Sequence, residues 1–273
     1  MTLLASWVGI DTHGPASAYI VSDSRISWGQ TAFFDYAKKV FASKRYPEIF
    51  GYAGNVLFPS IVLSQILEMI DSELLFNQDM PCLQKNMAVY EKLCYSFSKY
   101  PEAYGQNPIQ IIHISRDTIF DGYPVFYHYL MTWDYEHGWQ RFTKEFPKVS
   151  GLIQVLGSGG REFIDNYNNR YQLGGNQSTS RNVFHCFIDT LENIKDLHCG
   201  GAPQLVGIYR KPSSSAQNFG ILYNDKRYFL GMEVPKDASF DKIAWRNESF
   251  ERCDGILKAR IEGAAIQSDP LRR

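Results

Sequence analysis

Three residues near the start of this chain carry the groups a hydrolytic centre needs. Thr2 offers a hydroxyl, and the small side chain at position 2 suits it to removal of Met1. The new terminus would be an α-amine titrating at about 7.7–8.0. One residue would then supply both a nucleophile and its general base. Lys39 could lower the hydroxyl pKa and stabilise developing negative charge. Asp23, 16 residues before it, could pair with the lysine and hold it. Taken singly, Asp23 and Lys39 read as solvated surface charges, and threonine is a common second residue. The case rests on their combination. The segment IFGYAG adds a strand ending in small residues, where a substrate backbone can approach amides able to act as an oxyanion hole.

These residues need rigid elements to hold them. Residues 3–10 (LLASWVGI) and 18–23 (AYIVSD) read as strands around the turn DTHGPAS. Residues 40–54 read as two strands about a turn near Tyr46-Pro47. The apolar spacing from Ile61 to Ile70 predicts a helix running to about Leu75, and a second is expected over 83–98. Strands are expected at 109–115, 125–133 and 204–210 and in FGILYN and RYFLGMEV beyond. LIQVLGSGG (152–160) reads as a strand running into a glycine turn before a helix, and a further helix is expected over 178–195, capped by Ser178 or Thr179. The last 40 or so residues read as one helix with a charged end. Strands and helices do not alternate regularly, which points to antiparallel sheets with helices grouped outside, an α+β fold.

The bulk properties exclude several classes. Net charge is −1, so neither a nucleic-acid surface nor a membrane patch is indicated. The five cysteines (82, 94, 186, 199, 253) form no CxxC pair, which fits a reducing compartment. The six histidines show no metal-ligand spacing. The apolar run from Leu3 to Ile10 is too short for a membrane span and lacks the basic start of a signal peptide. A cytoplasmic protein without metal or organic cofactor is expected. LGSGG (156–160) fits neither a dinucleotide loop, because Glu162 stands where glycine is needed, nor a nucleophile elbow, because Leu156 does.

Five collinear segments together resemble the threonine proteases of the proteasome β-subunit and HslV type. They are the Thr2 strand, SWGQTAFFDYAKKV (27–40), the IFGYAG strand end, LGSGG and DLHCGG (196–201). The resemblance covers roughly residues 2–70 and 150–230. It implies a four-layer αββα sandwich of the N-terminal-nucleophile hydrolase type, with two antiparallel sheets between helix layers. The implied domain is 1–231, with an insertion at about 72–150 and an extension over 232–273. It assigns Thr2 as nucleophile, Lys39 as the charge-stabilising lysine in preference to Lys38, because the family has that lysine directly before an apolar residue, and Asp23 as its partner. Gly54, or else Gly51, would face the oxyanion. Ser158 and Asp196 would position the amine, and Tyr52 and Ala53 would line the substrate pocket. Cys199 stands where the family usually has serine, and a thiol is a weaker hydrogen-bonding group. Asp23 follows Thr2 by 21 residues, about five more than in the family.

The implied function is peptide cleavage through an acyl-enzyme, in a homo-oligomeric ring acting on peptides or unfolded proteins. Whether an ATPase unfoldase feeds it is left open. Two rivals stand beside this reading: an amidohydrolase with the same nucleophile acting on a small molecule, and a catalytically inert ring or scaffold subunit.

Overall fold

The computed structural model describes residues 2–101, 107–117, 124–211 and 214–266. Strands β1 (Leu4–Asp11) and β2 (Gly14–Ser22) form the opening hairpin. Its turn closes because the Asp11 carboxylate accepts from His13 N at 2.8 Å, while Gly14 takes φ +94°. This hairpin lies inside a nine-stranded sheet. β10 (Gly151–Leu156) pairs with β1, and β11 (Gln204–Tyr209) pairs with β2. The sheet continues through β12 (Gln217–Tyr223), β13 (Lys226–Phe229) and β14 (Met232–Glu233). Two short strands, β15 (Ala244–Arg246) and β16 (Arg252–Cys253), complete it, with β15 parallel to β12.

A five-stranded antiparallel sheet follows the order β5 (Val40–Ala42), β6 (Glu48–Gly54), β7 (Ile109–Arg116), β8 (Phe126–Asp134) and β9 (Gly138–Lys144). Between them in sequence lies a two-stranded hairpin of β3 (Ile26–Trp28) and β4 (Ala32–Phe34). The helices are α1 (Leu57–Asp71), α2 (Cys82–Phe97), α3 (Gly160–Asn169) and α4 (Ser180–Asn193).

The buried apolar residues form four clusters, and strand alternation divides the main ones between the layers. Leu3, just before β1, and Ala5 and Trp7 on it pack with Phe163, Phe184 and Phe187 of α3 and α4, while Leu4 turns towards the other sheet. On β6, Phe50 and Tyr52 face α1 and α2, while Ile49 and Ala53 face the nine-stranded sheet. Each fully buried Leu, Ile, Val or Phe contributes roughly 1.5–3 kcal/mol of transfer free energy. Gly51 lets the sheets approach: a Cβ there would sit 2.7 Å from Ile20 Cγ2 and 2.9 Å from Leu4 Cδ1.

One contact between α2 and the second sheet is polar. Buried Lys85 and Asn86 face buried Glu48 and His113. His113 Nε2 lies 2.8 Å from Glu48 Oε2, and its Nδ1 lies 3.0 Å from Asn86 Nδ2. Lys85 Nζ is 3.7 Å from Glu48 Oε1. The hydrogen bond to His113 and the nearby Lys85 charge offset part of the cost of burying Glu48, whose Oε1 has no hydrogen-bond partner among the described residues.

The expected α+β four-layer αββα sandwich is corrected by this architecture. Among the described residues there are sixteen strands and four α-helices, so the chain is mainly β. The clearest departure lies after residue 233. That stretch, expected to be one helix, carries β15 and β16 joined by turns. Phe250 (φ 59°), Lys258 (φ 55°) and Gly263 (φ 74°) adopt left-handed backbone there, which no helix can propagate. The Asp254 carboxylate accepts from Ile256 N and Leu257 N, each at 2.7 Å, and closes a tight turn instead. Residues 72–150 supply α2 and strands β7–β9 of the five-stranded sheet. Among the described residues, no helix is long and apolar enough to cross a membrane.

Candidate active site

The site grows from the first ladder of the large sheet. β1 and β2 pair in register to Leu4 opposite Ser22. One residue further, Asp23 N donates to Leu3 O at 3.0 Å, and Leu3 N donates to Asp23 Oδ1 at 3.1 Å. The carboxylate is thus held at the tip of β1, next to Thr2. Lys39 arrives from the other sheet, directly before β5, and its Nζ donates to Asp23 Oδ1 at 2.7 Å and to Thr2 Oγ1 at 3.0 Å. The side chains of Lys39 and Asp23 are fully buried, and Thr2 is 1% exposed.

Asp23 is saturated as an acceptor. Its Oδ2 takes Gly200 N at 3.0 Å and Arg25 N at 3.3 Å. Four donors hold the Asp23 carboxylate in place, and Asp23 in turn holds Lys39 Nζ against the Thr2 hydroxyl. The arrangement can therefore polarise the Oγ1–H bond and stabilise an oxyanion nearby.

Ser158, Asp196 and Cys199 come together behind this centre. Burial opposes ionisation of Asp196, but hydrogen bonds from Ser158, the His198 amide and Cys199 outweigh it and lower its pKa. The Cys199 Sγ lies 3.6 Å from Asp196 Oδ2 and 3.9 Å from Ser158 Oγ. Burial, reinforced by the Asp23 and Asp196 charges, pushes the Cys199 thiol up to about 12. It is a neutral donor at physiological pH. The cluster meets Thr2 through backbone: Gly159 N donates to Thr2 O at 3.2 Å. Gly157 has φ +87°, and a Cβ there would sit 2.0 Å from Thr2 O. Only glycine fits that approach.

The four residues of the IFGYAG segment divide. Gly54, at the end of β6 with φ +94°, lines a cleft together with Gly157 and Ser158. Gly51 lies in the packing layer between the sheets. Tyr52 faces the helices, and its hydroxyl donates to Lys38 O at 3.3 Å. It borders a shallow apolar pocket with Ile26, Phe34 and Phe41. Ala53 is fully buried in the layer between the sheets.

Two residues that organise the site were missed in the sequence. Gln204 is fully buried. Its Oε1 accepts from Lys39 N at 2.9 Å, and its Nε2 donates to Asp23 O at 2.9 Å and Ala37 O at 2.8 Å. One amide therefore clamps the backbones that carry Asp23 and Lys39. Arg25 forks onto Asp35 at 2.6 and 2.8 Å and donates to Leu197 O at 3.0 Å. It ties the DLHCGG turn to the hairpin region. A glutamine opening an apolar strand was the only available signal for Gln204.

Among the described residues, no group of three His, Cys, Asp or Glu side chains is placed to hold a metal ion.

No protein-family model matches the chain, and no curated protein matches it in sequence. Among solved structures, the chain is similar to one described as the helical assembly of the Anbu complex from Pseudomonas aeruginosa. The TM-score is 0.55 at 14% identity, over 86% of this chain and 88% of that one. That likeness is one of fold. The resemblance to the proteasome β-subunit and HslV-like threonine proteases is corrected accordingly: five short segments do not place the chain in that family. They are strand ends and Gly- or Ser-containing turns, types that recur wherever a strand meets a tight turn. The body that carries them is mainly β. What the structure retains of that reading is the local contact of Thr2, Lys39 and Asp23.

Proposed function

We propose that this chain is the repeating subunit of a multi-copy assembly in which Thr2, freed by removal of Met1, hydrolyses amide bonds. The observation that carries the chemistry is the 3.0 Å contact between Lys39 Nζ and Thr2 Oγ1, with Asp23 fixing the lysine at 2.7 Å. The fold likeness to a helical assembly supports the multi-copy part.

In this reading the Thr2 hydroxyl attacks the substrate carbonyl carbon, and its proton passes to the Thr2 α-amine. Lys39 and nearby backbone N–H groups balance the charge on the carbonyl oxygen. The C–N bond breaks, and the amine returns its proton to the leaving nitrogen. Water then attacks the Thr2 ester, assisted by the same amine, and releases the acid. Gly54 supports access, since it lines two cavities, each also bordered by Pro108. Exposed Trp28 and Leu57 share one of these and suit an apolar peptide over a small polar amide.

The second reading, a catalytically inert scaffold subunit, is favoured by the burial of Thr2 and by a neighbour known as an assembly. Peptide hydrolysis by wild type, Thr2→Ala and Lys39→Ala, alongside light scattering, separates the two. Turnover in wild type alone, from particles of many copies, is the expected result. Large particles without turnover would favour the scaffold.

A further inference from the structure

A cavity of about 510 Å³ opens on the far side of the large sheet, lined by Tyr19, Arg181, Tyr209, Gln217, Ala244, Arg246, Phe250 and Arg252. Three guanidinium groups share this cavity with no carboxylate among its lining residues. Its size falls in the range of small-molecule sites.

Two observations indicate that an anion belongs there. Arg246 is a buried cation, 8% exposed. Among the described residues no carboxylate lies within ion-pair distance of it or of Arg252. It is held instead by donating to Trp245 O at 3.1 Å and to Tyr209 Oη at 3.2 Å, between the rings of Phe219 and Phe250. Burying a charge without a counter-charge is unfavourable. Secondly, Arg246 and Arg252 are direct cross-strand partners on β15 and β16. Like charges placed opposite each other destabilise a strand pair, and an anion bridging them would reverse the sign.

We propose that this cavity binds a phosphoryl group. The guanidinium fork matches phosphoryl oxygens in pairs, and Arg246 and Arg252 together carry more charge than one carboxylate would neutralise. The Tyr209 hydroxyl, already fixed by Arg246, and the Gln217 amide are further donors at the wall. Arg181 enters from the first turn of α4, and one of its nitrogens is engaged by Ala265 O at 3.3 Å. The Phe250 ring adds an apolar flank that suits a phosphate ester. The site is independent of any reaction at Thr2.

The test is calorimetric titration of the full chain with inorganic phosphate, with phenyl phosphate and with acetate, at matched ionic strength in chloride. Saturable binding of one equivalent of phosphate is expected, with acetate silent. Arg252→Gln and, separately, Arg181→Gln should each weaken phosphate binding at least tenfold while leaving the melting temperature in chloride unchanged or raised. Tighter binding of phenyl phosphate would assign an ester as the natural ligand, and equal binding would assign free phosphate. Absence of saturable phosphate binding by wild type, or equal binding by both variants, would overturn the proposal.

Discussion

Lys39 Nζ lies 3.0 Å from Thr2 Oγ1, although the two side chains come from different sheets. The contact exists because Asp23 receives Leu3 N, one residue from Thr2, and Lys39 Nζ on the same oxygen, Oδ1. A single carboxylate oxygen thus fixes nucleophile and cation together. With both charged side chains fully buried, neither can relax into solvent if the other is removed.

Replacement of Asp23 by asparagine should therefore be costly. It would leave a buried lysine without a counter-charge, a change of roughly 3–5 kcal/mol. Denaturant unfolding of Asp23→Asn should show that loss. A change below about 1 kcal/mol would mean that the pair is not held as described.

Gln204→Leu preserves approximate volume but removes the clamp. The N–H of Lys39 and the carbonyls of Asp23 and Ala37 would lose buried partners, at about 1–3 kcal/mol for an unsatisfied group. If Thr2 is catalytic, turnover should fall more than substrate affinity, because the clamp positions Lys39 and touches no substrate. Kinetics at a temperature where the variant remains folded measures this split.

Gly54→Ala tests the strand end. The residue would inherit φ +94° and place its Cβ 2.1 Å from Pro108 O. A backbone held in that region costs roughly 1–3 kcal/mol for a residue with a side chain, before the clash is relieved. Thermal unfolding should show a destabilised protein. Gly14→Ala shares the same φ without a nearby atom and should lose less.

His128 gives the fold a defined acid response. Burial lowers its pKa from 6.5 to about 3, and its Nε2 shares a 2.8 Å hydrogen bond with Ser6 Oγ across the two sheets. The folded state therefore binds fewer protons at this site than the unfolded chain. Its contribution is fully present above about pH 6.5 and is lost as the pH falls towards 3. The change amounts to several kcal/mol, on the order of 1.4 per pH unit. Unfolding free energies measured from pH 7 to 4 should fall more steeply for wild type than for His128→Gln. Equal slopes would place the protonation of this histidine elsewhere.

The parts of the fold that could be read from sequence were those set by local pattern. The strand alternation around Trp7, the 3.6-residue spacing from Ile61 to Ile70 and the Thr179 cap of α4 all follow from adjacent residues. Thr2, Asp23 and Lys39 were legible as a set because the β1–β2 pairing brings the first two together through one hairpin. Gln204 and the Gly200 amide were not, because each contacts Asp23 across more than 170 residues of chain. Tyr52 and Ala53 illustrate a rule that was available: neighbours on a strand face opposite ways, so both could not line one pocket. The last two strands escaped notice because β15 and β16 are only two or three residues long, too short for any periodicity to register.

The most direct measurement of the central claim is peptide mapping by mass spectrometry after incubation with a hydroxyl-reactive peptide electrophile. The account predicts a chain lacking Met1 and a single adduct on Thr2, absent in Lys39→Ala. Retention of Met1 in the reactive protein, or an adduct on any residue other than Thr2, would contradict it.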